Sequence, residues 1–155
     1  MPGGKNLLHY FKLVALGLII TMIWLTAKRA PTQPAYASGQ PKSSGAIVQG
    51  RAEGTWAWWY ANGRKMTEGN FLAGRRHGPW ATWYEDGSKK SMGVYQDDRL
   101  NGRYIHWYKN GQIKESGNFI DDKKEGIHSY FDSSGRLIEE RLFKQGILIH
   151  QDTAP

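Results

Sequence analysis

From Gly54 to Ile149 bulky apolar positions alternate with small or polar ones in short runs, and a turn-forming cluster interrupts the alternation about every twelve residues. The stretch GTWAWWYANGRKMTEGNFLAGRRH (Gly54 to His77) is followed by GPWATWYEDGSKKSMGVYQDDRLN, GRYIHWYKNGQIKESGNFIDDKKE and GIHSYFDSSGRLIEERLFKQGILI, which align with it without a gap at a period of 24. Internal repetition governs the fold. GAIVQGRAE (Gly45 to Glu53) matches the end of a unit, which makes about four and a half units over residues 45–149. Each unit has a strand-forming run before Asn62-Gly63, Asp86-Gly87, Asn110-Gly111 or Ser134-Gly135 and another after it. Asx-Gly pairs favour type I′ turns, which need positive φ at both central residues. No unit shows a helical period. The pattern predicts tandem β-hairpins forming one elongated antiparallel sheet of about nine strands, roughly 40 Å across.

A two-residue turn fixes the pairing: Trp56 faces Gly69, Trp80 faces Gly93, Tyr104 faces Gly117, and one step out Gly54 faces Phe71. Rings laid over cross-strand glycines cover backbone that would otherwise be poorly packed. His128 and Arg141 take these positions in the last unit, which reads as an atypical terminal cap. The same parity puts Trp59, Trp83, Trp107 and Phe131 on the opposite face, with Lys90, Lys114, Glu68 and Ser116 as neighbours. Exposed edges are expected at Ala46 to Gln49 and at Leu142 to Ile149.

The first residues follow another rule. Leu13 to Ala27 is apolar and uncharged between Lys12 and Lys28-Arg29, which suits a signal-peptide core or a short membrane helix. Ala35-Tyr36-Ala37 is a small-x-small sequence suited to cleavage after Ala37, but it lies well beyond the apolar core. Residues 1–29 therefore read as a hydrophobic helix for export, a retained anchor being preferred to a cleaved signal. Residues 30–44 read as a flexible linker, 45–149 as the repeat domain and 150–155 as a tail. The location implied is a bacterial cell envelope.

Composition changes this picture little. The chain has 155 residues, no cysteine and a net charge of +7. The absence of cysteine rules out disulfides and thiolate chemistry. Four of the cations (Lys5, Lys12, Lys28, Arg29) and none of the acids lie in residues 1–37, leaving 17 basic and 14 acidic residues elsewhere. That distribution argues against a nucleic-acid surface.

The recurrent G-x-W/Y-x-x-W-Y-x-N/D-G followed by G-x-F/Y resembles the MORN repeat family (membrane occupation and recognition nexus), and more closely its bacterial variant form. The resemblance implies stacked hairpins, scaffolding and protein or membrane contact rather than catalysis. It also implies, for many bacterial variants, an antitoxin-like role.

Candidate chemistry is weak beside packing. His106 and His128 stand in columns otherwise held by Trp58, Thr82 and Tyr130 or by Trp56, Trp80 and Tyr104, so each reads most simply as a substitute ring. Asp97-Asp98 and Asp121-Asp122 could gather calcium, but the same turn in the first unit is Ala73-Gly74. No enzyme, cofactor or metal is expected. The feature left over is the row Trp59, Trp83, Trp107 and Phe131 with Lys90 and Lys114, a candidate platform for a partner. The partner expected is another protein. Cell-wall glycan or lipid headgroups are the alternative, and inhibition of a toxin-like protein the third reading.

Overall fold

A computed structural model describes residues 34–153. Ten strands follow one another: β1 (Ser43–Val48), β2 (Arg51–Trp59), β3 (Lys65–Leu72), β4 (Arg75–Trp83), β5 (Lys89–Gln96), β6 (Arg99–Trp107), β7 (Ile113–Ile120), β8 (Lys123–Phe131), β9 (Leu137–Lys144) and β10 (Ile147–Thr153). They form a single sheet in chain order, antiparallel throughout. The tenth strand takes up most of the segment expected as a tail. The expected N-terminal helix, and with it the anchor or signal, lies outside the described residues.

Two kinds of turn build the meander, and the Asx-Gly turns are not the type I′ turns expected. At the Asx-Gly hairpins only the glycine has positive φ (Gly63 87°, Gly87 90°, Gly111 86°), while Asn62, Asp86 and Asn110 do not. The Gly63 N–H donates to the Tyr60 carbonyl at 3.0 Å, and the Tyr60 N–H to the Arg64 carbonyl at 2.8 Å. This is a type I turn closed by a left-handed glycine and a bulge. The bulge skips Met66 (Trp59 pairs with Lys65, Trp58 with Thr67), so Trp56 still meets Gly69 as the sequence implied. The type I′ turns instead join one hairpin to the next, at Gln49-Gly50, Ala73-Gly74, Asp97-Asp98, Asp121-Asp122 and Gln145-Gly146, with positive φ at both residues of each.

The repeat begins earlier than Gly45. The Tyr60 hydroxyl donates to the Trp83 carbonyl, Tyr84 to Trp107 and Tyr108 to Phe131, at 2.8, 2.8 and 2.9 Å. Tyr36 makes the same bond to the Trp59 carbonyl at 2.8 Å. The Gly39 N–H donates to the Tyr36 carbonyl, as Gly63 does to Tyr60. Tyr36-Ala37-Ser38-Gly39 is thus another repeat turn, and the linker expected over 30–44 is hairpin from Pro34 onward. Ser38 and Pro41, replacing the Asn62 and Lys65 of the first full unit, had hidden it.

Packing follows the anticipated ring-on-glycine logic with a shifted partner. The ring covers the glycine of the preceding hairpin: Trp56 lies over Gly45, Trp80 over Gly69 and His128 over Gly117, where an added Cβ would overlap the ring. Trp80 pairs with that glycine across β3 and β4 as well as with Gly93 across β4 and β5. The rings then contact one another, Trp80 lying 5.8 Å from Trp58, 5.3 Å from Phe71 and 5.9 Å from Tyr95. The sheet carries this aromatic layer on one face. Among the described residues few apolar side chains are buried, and Ala57, Leu100 and Ile105 are the core.

The last unit ends the array. Between β7 and β8 the pairing passes from Ser116–Ser129 to Asn118–Glu125, a wide bulge that includes left-handed Gly126 (φ 75°). β10 has His150 where the glycine belongs. Its bulge contracts (Phe143–Leu148, then Leu142–His150), the strand is offset by one residue, and Asp152 comes opposite Glu140. Arg141 replaces the glycine, and no ring follows to cover it.

Candidate binding face

Strand alternation places Trp59, Trp83, Trp107 and Phe131 in one row, on the face opposite the glycine–aromatic layer. They pair with Lys65, Lys89, Ile113 and Leu137 on the return strands. All four rings are half-buried rather than fully displayed. The Lys65 Nζ lies 5.3 Å from the Trp83 ring centroid and is ion-paired with Glu68 on the same face.

Lys90 and Lys114 are not part of this row. Each is the residue skipped at a hairpin bulge, and the bulge breaks the parity on which the expectation rested. Their ammonium groups lie 5.6 Å from the Tyr84 ring and 5.5 Å from the Tyr108 ring, over the tyrosine ladder. Both bear on His106, whose imidazole is held below its ordinary pKa first by burial and then by the Lys114 charge.

In their place the tryptophan face presents apolar side chains that the sequence reading passed over. Met92, Val94, Ile127 and Leu142 are 42%, 39%, 57% and 39% exposed. Ile127 pairs with Leu142 across β8 and β9, whereas Met92 and Val94 neighbour Pro79, Ala81 and Ile105 through the pairs Pro79–Val94, Ala81–Met92 and Met92–Ile105. A shallow depression of about 220 Å³ lies beside them, lined by Thr55, Glu68, Asn70, Pro79, Ala81 and Met92. The signal was the same parity that picked out the tryptophans: counting by twos from Trp83 and Trp107 reaches Ala81, Pro79 and Ile105.

On the other face His128 is fully buried. Its Nε2–H donates to the Asn118 carbonyl at 2.8 Å, and its Nδ1 lies 3.3 Å from the Glu115 carboxylate. The Trp56 and Trp80 indoles donate to the equivalent carbonyls, Ala46 and Asn70, each at 3.1 Å. The histidine therefore reproduces a tryptophan's ring position and its N–H bond. The Lys124 Nζ donates to Glu115 and to the Tyr130 hydroxyl, both at 2.7 Å. No group of His, Asp and Glu side chains able to hold a metal occurs among the described residues. The turn acids serve the fold: Asp98 Oδ1 accepts the Arg76 N–H at 3.0 Å and Asp122 Oδ1 the Leu100 N–H at 2.7 Å.

The Glu115 cluster gives a pH dependence. Burial by itself would raise the Glu115 carboxyl, but the bonds from Lys124 and His128 outweigh it and hold it below the usual range. The Ser134 hydroxyl and the Arg136 N–H hold Asp132 down, to about 2. A carboxyl lowered by folding contributes stability that is full above its unfolded value and lost as pH falls through the folded one. The melting temperature is expected to hold steady down to about pH 5 and to fall below about pH 4. Glu115→Gln should flatten part of that acid limb in circular-dichroism melts; an unchanged limb would remove Glu115 from the account.

Residues 76–97 and 100–121 each match the family model described as the MORN repeat variant. Repeats of this family are protein- and membrane-binding modules and a non-catalytic repeat type. No curated protein matches the chain.

Proposed function

We propose, for a chain that belongs to the MORN repeat family, a non-enzymatic module that binds another protein through its tryptophan face and is tethered at a bacterial cell envelope. The observation that carries this reading is the composition of that face. Trp59, Trp83, Trp107 and Phe131 share that face with an apolar patch of Pro79, Ala81, Met92, Val94 and Ile105 and with the separate Ile127–Leu142 pair, and no second layer covers them among the described residues. Contiguous apolar surface rimmed by polar groups is characteristic of interaction sites. Half-buried rings held by a rigid sheet lose little conformational freedom on binding, which favours affinity. Lys65 and Lys89, in line with the tryptophans, support lipid headgroups or anionic glycan as the second reading.

The tether rests on the N-terminal apolar run and on Tyr36. Cleavage after Ala37 would remove a residue whose hydroxyl belongs to the hydrogen-bonded tyrosine ladder. One experiment tests both halves. The full chain carries a photo-crosslinking residue at Met92, or at Thr67 on the opposite face, in a bacterial host, and the adduct is isolated and its N-terminus sequenced. A discrete protein adduct from position 92 alone, on a chain that retains Tyr36, is the expected result. Lipid or glycan adducts, or equal adducts from both positions, would overturn the protein-binding reading, and a chain beginning at Ser38 would overturn the tether.

A further inference from the structure

The sheet's last strand departs from its own equivalents in a way that bears on assembly. The first position of this strand is a cation in four copies, Arg51, Arg75, Arg99 and Lys123, and the two that follow are Ala52-Glu53, Arg76-His77, Leu100-Asn101 and Lys124-Glu125. β10 opens with Ile147-Leu148-Ile149, which are 67%, 46% and 57% exposed. β10 is terminal in the sheet, so its outer N–H and C=O groups meet no strand among the described residues. Proteins ordinarily protect such an edge with charge, proline or an outward twist, because a bare edge templates pairing. Here the strands whose edges are already covered keep their charges, and the strand that forms the edge has lost them.

We infer that β10 is a homodimerisation edge, on which a second copy of the chain pairs its own β10 antiparallel about a two-fold axis near Ile149. The two sheets become one of twenty strands, in which Ile149 meets its own copy on the axis while Leu148 faces the partner's His150 and Ile147 faces the partner's Gln151. A strand pairing with its own copy antiparallel is self-complementary, the condition for a closed two-fold interface. Simple continuation of the array fits this edge less well. His150 leaves β10 offset, and Arg141 offers no bare backbone for an incoming ring. A single strand pair buries less than the 1,200 Å² or so typical of stable complexes, so the dimer exchanges and is favoured where copies are concentrated on one surface.

The chain has no cysteine, which allows a clean test. Single cysteines at positions 147 to 151 are introduced into the full chain in mild detergent and oxidised. Disulfide dimer is expected to peak at one position near 149. It should fall at least ten-fold when Ile147→Lys and Leu148→Lys, the cations of β8, are added beside a cysteine kept at position 149. Folding of that variant is checked by its tryptophan emission. The scan in the otherwise unaltered chain already decides the matter: no peak, or equal crosslinking at all five positions, would overturn the proposal. An equal dimer yield from the charged variant would do so as well.

Discussion

Gly69→Ala is expected to destabilise the sheet by about 3 kcal/mol, in the upper range for a single methyl group placed in a packed site. Gly69 has no positive φ, so its backbone suits alanine. The cost comes wholly from Trp80, whose ring occupies the space the new Cβ would take. Displacing that ring breaks its contacts with Trp58, Phe71 and Tyr95 and its N–H bond to the Asn70 carbonyl. Gly54→Ala is the control. There φ is 68° and nothing lies within 4 Å, so only the left-handed backbone resists, at about 1 kcal/mol. Gly93→Ala should fall between the two, because the nearest atom to its Cβ is Leu100 Cδ1 at 2.6 Å, the tip of a side chain that can turn aside. Urea unfolding followed by tryptophan fluorescence measures all three. A Gly54 variant weaker than the Gly69 variant would mean that backbone conformation, rather than ring seating, sets these positions.

The ordering of those glycines shows what the sequence made legible. A 24-residue period with one Asx-Gly or Ser-Gly pair per unit determines hairpin pairing by counting, and Trp56–Gly69, Trp80–Gly93 and Tyr104–Gly117 all hold. Counting could not tell which neighbouring glycine a ring covers, since Trp80 pairs with both Gly69 and Gly93. Turn type was hidden because Asx-Gly serves two geometries: type I′, or type I with a left-handed glycine. Beyond the bulge both give the same register, so the pairing further from the turn survived an error in the turn. The lysines of the candidate face suffered from the same bulge. Lys90 and Lys114 sit where strand parity breaks, and they moved to the tyrosine side. The buried network around Glu115 was out of reach because it joins residues of different hairpins, each ordinary by itself.

His128→Ala is expected to cost about 3 kcal/mol. The ring is wholly buried, 5.2 Å from Phe119 and 5.3 Å from Phe143. Removing it opens a cavity and leaves the Asn118 carbonyl without its donor. The repeat supplies a rescue: one unit pair earlier, the positions of Glu115 and His128 hold Thr67 and Trp80. The double variant Glu115→Thr, His128→Trp installs those residues over Gly117, with the indole N–H directed at the Asn118 carbonyl. It should recover most of the stability lost in His128→Ala, whereas His128→Trp alone leaves the carboxylate beside an apolar ring and recovers less. The difference between double and single variants is the coupling of the pair. If the double variant is no better than alanine, the imidazole has a role that ring packing does not explain. If it recovers, a buried histidine beside a carboxylate and a lysine, which by composition resembles acid–base machinery, is a substitute for tryptophan in the ring layer.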